Sequence, residues 1–194
     1  MKALVLWADD RSANLGVRVL AVGTGQLGRR AFGDDIEVDY LDFGATPDGF
    51  TIGRKLIAKD LLGRQSGLRQ RLRSYDVVLD TGAGDSFTDI YGIDRLGRVA
   101  YVAYRLRAMG IRRILTPQTI GPFDSLLGRR LGSGALRRAD LVFARDSQSD
   151  DAGRSLGRSA DLLSTDVVFA LPQPIRVDGK RDVVINVSGL LWNT

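Results

Sequence analysis

The 194-residue sequence contains no cysteine and no histidine. Without cysteine there are no disulfides, no thiolate metal sites and no cysteine nucleophile. Without histidine, the commonest general acid/base and the commonest metal ligand are missing. Glutamate occurs once, as Glu37, so proton transfer within these residues must fall to Asp, Tyr, Lys or Glu37. Lysine is confined to Lys2, Lys55, Lys59 and Lys180, which leaves the formal charge of +5 almost wholly to arginine. No apolar run approaches the roughly 20 residues that a membrane-spanning helix needs. The opening MKALVLWADD turns acidic too early for a signal peptide. These absences lead us to expect a cytoplasmic protein with no membrane span and no metal site.

What is present is ordinary globular material. Apolar residues make up 44% of the chain and charged residues 26%, so a packed core is expected. The length suits one large domain, or one domain and part of a second. Arginine pairs such as Arg29-Arg30, Arg112-Arg113, Arg129-Arg130 and Arg137-Arg138 are scattered, mostly on the polar sides of predicted helices. A nucleic-acid binder clusters its cations on one face with aromatics between them, so no nucleic-acid partner is expected. An anionic small substrate fits the charge equally well.

Apolar runs and helical spacings alternate along the chain. Lys2 to Ala8 reads as a first buried strand ending at Asp9-Asp10, and Ser12 or Asn14 can cap a helix reaching about Phe32. Ile36 to Phe43 alternates as a strand, and Gly53 to Ser74 reads as one basic amphipathic helix. Val77-Val78-Leu79 is a third strand, and Leu96 to Met109 a helix closed by Gly110. Arg113 to Pro117, a helix over about Ser125 to Arg138, and Asp140 to Ala144 follow, with Ser147 able to cap a short helix. Leu162 to Leu171 reads as a sixth strand. This alternation predicts an α/β fold, a doubly wound parallel Rossmann-like sheet. The domain is expected over residues 1–171, with a proline-bearing linker over 172–181. Residues 182–194 would then begin a second α/β domain of which only the first strand is present.

Gly23-Thr24-Gly25-Gln26-Leu27-Gly28 matches the dinucleotide fingerprint, with Asp42 at a plausible distance for a ribose-binding acid. If Val17 to Val22 were its strand, only Arg29 to Phe32 would remain as helix, far short of a crossover. With Met1 to Ala8 as the first strand, the hexapeptide falls inside the first helix. We therefore expect no dinucleotide site there.

The stretch Tyr75 to Gly92 is a strand that breaks at once into Thr81-Gly82-Ala83-Gly84-Asp85-Ser86. Ligands of open parallel sheets sit outside the carboxyl ends of the strands, so this loop is either a binding floor or a tight strand-to-helix turn. Three other strand ends also carry unusual polar residues: Asn14-Leu15-Gly16, Gln118-Thr119-Ile120-Gly121 and Arg145-Asp146-Ser147. In a doubly wound sheet all four loops share one edge. Glycines allow close backbone approach, helix N-termini supply N–H donors, and Arg145 offers a planar fork for carboxylate or phosphate. Each has a plainer alternative: Asn14 as a cap, Gln118 as a backbone partner, Arg145-Asp146 as a local ion pair.

The segments TPQTIGPF (Thr116 to Phe123), FARDSQS (Phe143 to Ser149), STDVVFALP (Ser164 to Pro172) and VINVSGLLWN (Val184 to Asn193) resemble, in order and spacing, the motifs of polysaccharide pyruvyl transferases. Asn14-Leu15-Gly16 and the TGAGD loop match the family's start and glycine-rich loop. The resemblance implies two Rossmann-like domains in the glycosyltransferase-B arrangement. It also implies transfer of pyruvate from phosphoenolpyruvate to a glycan or lipid-linked sugar as a cyclic ketal, with no cofactor. On that implication Asn14, Gly16, Gly82, Gly84, Gln118, Gly121, Arg145 and Ser147 are the expected substrate-binding residues. Arg145 is the expected contact for the donor's anionic groups, and Asp85, Asp89 and Asp146 are the expected acids or orienters. The chain departs from the family pattern in lacking histidine and in having Gly82-Ala83-Gly84 where three glycines commonly stand. A nucleotide-sugar glycosyltransferase of the same architecture, and an inactive truncated remnant that only binds, are the competing readings.

Overall fold

The computed structural model describes residues 1–85 and 87–172. The β-branched and aliphatic runs form a six-stranded sheet from β1 (Lys2–Leu6), β2 (Glu37–Leu41), β3 (Val77–Asp80), β4 (Arg112–Gln118), β5 (Leu141–Ala144) and β6 (Leu162–Leu163), in the order β2-β1-β3-β4-β5-β6. All five neighbouring pairs are parallel. β3 is buried along its whole length, as expected of a strand covered on both faces. The crossovers are α1 (Leu15–Phe32), α2 (Arg54–Leu61), α3 (Leu68–Leu72), α4 (Ile93–Ala108), α5 (Leu126–Leu136) and α6 (Ser147–Ser155).

Two apolar cores follow from the period-2 alternation of the strands. Ala3, Val5, Val77, Leu79 and Ile114 pack beneath Ala21, Val17 and Leu20 of α1. Leu4, Leu6, Val78, Leu115 and Val142 face the other way, against Leu68 and Leu72 of α3, Val99 and Leu106 of α4, and Leu136 of α5. Helices on both faces of a parallel sheet make this a doubly wound, Rossmann-like α/β fold. No helix of the described residues is long and apolar enough to cross a membrane.

The glycines of the GxGxxG hexapeptide lie inside α1 and serve packing. A Cβ at Gly23 would lie 2.6 Å from the Val167 carbonyl oxygen, one at Gly25 2.6 Å from the Tyr40 hydroxyl, and one at Gly28 2.8 Å from Leu79 Cδ1. They bring α1 close to the sheet and to the segment that follows β6.

Several expectations need correction. The single helix over Gly53 to Ser74 is two, because Gly63 (φ 69°) and Gly67 (φ 76°) adopt left-handed backbone between α2 and α3. The break lets Ser66 and Arg69 turn back onto the buried Asp60 carboxylate, at 3.1 and 3.2 Å, beside Tyr101 and Arg105 of α4. The strand over Leu162 to Leu171 is only two residues long. Asp166 accepts a hydrogen bond from Val168 N at 3.0 Å and starts a 3-10 turn over Val167–Ala170. That turn buries Val167 against Gly23. Asp146 rather than Ser147 caps α6, accepting from Ser149 N at 2.7 Å. The fourth helix begins at Ile93 rather than Leu96. The expected linker beyond Pro172 and the strand Asp182 to Gly189 lie outside the described residues.

Candidate active site

The strand order reverses direction between β1 and β3, so the crevice of this sheet lies outside the carboxyl ends of those two strands. On the β3 side its floor is built on a buried ion pair. Asp80 and Arg113 are both fully buried, with Arg113 Nε donating to Asp80 Oδ2 at 2.7 Å and Nη1 to the Ala135 carbonyl at 2.7 Å. Arg113 Nη2 also lies 2.7 Å from Asp80 Oδ2, but outside hydrogen-bond alignment. Asp80 Oδ1 accepts from Gly82 N at 2.8 Å, so the pair fixes the first residue of the loop. Thr81 Oγ1 donates to the Leu6 carbonyl at 2.8 Å and accepts from Ala83 N at 3.1 Å, tying the same loop to β1.

Gly82, Ala83 and Gly84 are all left-handed, with φ of 54°, 64° and 75°. Left-handed backbone costs an L-residue about 1–2 kcal/mol, which explains glycine at two of the three positions and leaves Ala83 strained. A Cβ on Gly82 would overlap the Gln118 carboxamide. Gln118 is fully buried and neither of its amide atoms has a hydrogen-bond partner.

The loops after β3, β4 and β5 are laced together by backbone hydrogen bonds. Thr119 N donates to the Gly84 carbonyl at 3.0 Å, Gly121 N to the Phe87 carbonyl at 2.9 Å, and Arg145 N to the Gln118 carbonyl at 3.3 Å. Ile120 N donates to Ser149 Oγ at 3.2 Å, which joins the first turn of α6 to the same knot. The structure therefore brings Gly82, Gly84, Gln118, Gly121, Arg145, Asp146 and Ser147 to one edge. Asn14 and Gly16 stand further off. Asn14 caps α1, accepting from Gly16 N at 2.9 Å, and that helix reaches the loop through Leu20, 3.3 Å from a Cβ placed on Gly84.

The three carboxylates occupy different settings. Asp89 sits across the start of α5, accepting from Asp124 N at 3.0 Å and from Ser125 N and Oγ at 2.8 and 2.6 Å. The Ser125 hydroxyl is the main reason its carboxyl lies below the usual aspartate range. Burial opposes ionisation of Asp146, but the hydrogen bonds from Ser149 and the charge of Arg145 outweigh it and lower its pKa as well. Asp85 is exposed and accepts a hydrogen bond from the Tyr91 hydroxyl at 3.3 Å. Arg145 is engaged on two sides, 3.6 Å from Asp146 and 3.2 Å from Asp166.

On the β1 side, Trp7 follows the strand with φ 67°, a rare conformation for a bulky residue. Its ring stacks on Phe43 at 4.4 Å between centroids, and the Arg95 guanidinium lies 4.3 Å from the Phe43 ring and 5.8 Å from the Tyr91 ring. Sequence reasoning missed this stack, the Asp80–Arg113 pair, Ser149 and Asp166. Ser149 and Asp166 fall inside the motif segments already singled out. Trp7 and Arg95 carry no local signal, because only the fold brings residues 7, 43, 91 and 95 together.

A parallel sheet with helices on both faces and its polar loops tied at one carboxyl edge defines a Rossmann-like α/β protein. The family model described as polysaccharide pyruvyl transferase matches residues 26–192. The chain belongs to the polysaccharide pyruvyl transferase family. No curated protein matches it.

Proposed function

We propose that the protein transfers pyruvate from phosphoenolpyruvate to a sugar of a cell-surface glycan precursor, forming a cyclic ketal. The described domain is the N-terminal half of a glycosyltransferase-B-like pair, acting in the cytoplasm without a cofactor. The observation that carries this reading is the left-handed Gly82-Ala83-Gly84 loop, laced to Gln118 and Arg145 in a chain of this family.

The reaction sets definite demands. An acid protonates the methylene carbon of the enol, leaving a cation at the carbon that bears carboxylate and phosphate. A sugar hydroxyl adds there, the carbon–oxygen bond to phosphate breaks, and a second hydroxyl of the same sugar closes the ketal. Of the two hydroxyl protons released, one replaces the proton consumed and the other leaves with phosphate. Asp89 and Asp146 hold helix starts as anions, so they orient the site rather than donate protons. Asp85, exposed on the loop and held by Tyr91, is the proton donor in this reading. Arg145 meets the donor's anionic end, with Asp146 and Asp166 fixing its fork.

The test is thermal unfolding of the 194-residue chain with phosphoenolpyruvate or a nucleotide sugar, followed by assay of acceptor-dependent phosphate release. At about 100 times Kd, a ligand of the folded state adds about 2.7 kcal/mol. Protection by phosphoenolpyruvate and not by nucleotide sugars is expected. Protection by nucleotide sugars alone would move the chain to glycosyl transfer.

A further inference from the structure

The starts of three helices at this edge are filled by the protein's own side chains: Asn14 on α1, Asp89 and Ser125 on α5, and Asp146 on α6. The starts of α2, after β2, and of α4, after β3, are not, and it is α4 that carries in its first turn a cation with a buried Nε. Its N-cap is Gly92, with no side-chain hydrogen bond to the first-turn amides. Because α4 follows β3, this end of the helix lies at the carboxyl edge of the sheet, and through Arg95 and Phe43 it reaches Trp7 at the end of β1.

Arg95 lies in that first turn. Its guanidinium is flanked by Phe43 and Tyr91, and its Nε is buried without a hydrogen-bond partner. Among the described residues it forms no ion pair, whereas Arg145 has two carboxylates within 3.6 Å. Behind it, Trp7 is 1% exposed, and its indole Nε1 also lacks a partner. The carboxylates near this turn are Asp94 and Asp85. Asp94 is bonded to both Arg54 and Arg98, and Asp85 to Tyr91. Three guanidinium groups, those of Arg54, Arg95 and Arg98, thus stand against two carboxylates near this turn, so its local charge is positive.

A planar cation held against the face of Phe43 is already partly ordered, so less side-chain entropy is lost when it meets a fork of two oxygens. Uncapped amides at a helix start favour the same ligand charge.

We propose that Arg95 and the first turn of α4 form an anion subsite at the β1/β3 crevice, distinct from Arg145, that holds a phosphoryl or carboxylate group of a substrate. That the group belongs to the donor rests on the function proposed above; a diphosphate-linked sugar acceptor would offer the same chemistry.

Titration calorimetry of the full chain with phosphoenolpyruvate, and separately with inorganic pyrophosphate, tests it. Arg95→Met keeps the apolar stem in the stack and removes the charge; Arg95→Lys restores a charge there. The Met variant is expected to weaken at least one of the two ligands by tenfold or more, and the Lys variant to recover part of that loss. The unliganded melting temperature of each variant checks that it is folded. If Arg95→Met misfolds, Arg95→Lys against Arg95→Gln supplies the same comparison. Pyrophosphate binding that depends on Arg95, without phosphoenolpyruvate binding, would keep the subsite and sink the donor reading. Phosphoenolpyruvate and pyrophosphate binding that both survive loss of the charge would overturn the subsite and leave the donor reading intact. A wild-type chain that binds neither ligand would overturn both.

Discussion

Ala83 is the residue at which local strain and the crevice meet. Its left-handed backbone costs about 1–2 kcal/mol, while glycine there would add about 0.4–1 kcal/mol of unfolded-chain entropy. Ala83→Gly should therefore stabilise the protein by up to about 1 kcal/mol, read as a higher urea midpoint with an unchanged slope. A lower midpoint would show that the loop relaxes out of the left-handed region. Gly82 poses the opposite case. A methyl group at Gly82 must displace the buried Gln118 carboxamide. Gly82→Ala should cost about 1–3 kcal/mol, the range for overpacking a core. It should also abolish ligand protection at temperatures where the variant is still folded. Full protection in a folded Gly82→Ala protein would remove this loop from the site.

At the scale of elements, two devices hold the edge, and each can be broken separately. Asp89 staples the loop after β3 to the start of α5, with Gly128 leaving room for its carboxylate. Asp89→Ala removes the acceptor that holds the cap residue Ser125 and should cost about 1–2 kcal/mol in lost hydrogen bonds, with Asp89→Asn losing less. Equal midpoints for wild type and Asp89→Ala in urea would show that the staple contributes nothing. The buried Asp80–Arg113 pair is the stronger device. Arg113→Ala leaves an unpaired buried carboxylate and should cost about 3–5 kcal/mol, whereas replacing both partners by apolar residues should cost much less. The contrast between single and double variants is the readout. These elements also show how far the sequence could be read. β1, β3 and β4 are apolar runs whose burial on both faces leaves a pattern in the residues themselves. The hydroxyl, glycine and arginine loops behind them could be placed at one edge, because a parallel sheet brings its strand ends together. The break between α2 and α3 was hidden, because the leucine spacing runs on past Gly63 and Gly67 while the buried Asp60 network decides the turn. β6 was overread for a similar reason: Val167 to Leu171 is apolar enough for a strand, but Asp166 caps it into a 3-10 turn against α1. The Trp7–Phe43–Arg95 contact joins two loops and the first turn of α4, far apart in the chain, and could not have been read at all.

For the whole molecule, the missing histidine has a thermodynamic consequence. Stability changes with pH only where the folded and unfolded states bind different numbers of protons. On the acid side, Asp39, Asp60, Asp89, Asp94, Asp146 and Asp161 all lie below the ordinary value of 3.8, and Asp48 is lowered to about 2. Asp89 and Asp94 owe this chiefly to hydrogen bonds from Ser125 and Arg54; at Asp39 and Asp60 hydrogen bonds and cations overcome burial, which acts the other way. A lowered carboxyl contributes stability that is complete above its unfolded value and is lost as pH falls through its folded value. The acid limb therefore begins near pH 4 and steepens below it. On the alkaline side, Lys2 is raised above 10.5 by its hydrogen bonds to Glu37 and Asp39, and Tyr75 and Tyr101 are raised above 10.0 chiefly by burial. Raised groups contribute stability that is present below their unfolded values and lost as pH climbs through their folded ones, so the second limb begins near pH 10. Between the limbs no side chain of this composition ordinarily titrates. Urea midpoints measured from pH 3 to 11 should form a plateau from about 5 to 9, without the neutral-pH step that a buried or paired histidine gives. A step between pH 6 and 8 would overturn this profile, because it would require a raised carboxyl or the terminal amine to change its protonation on folding.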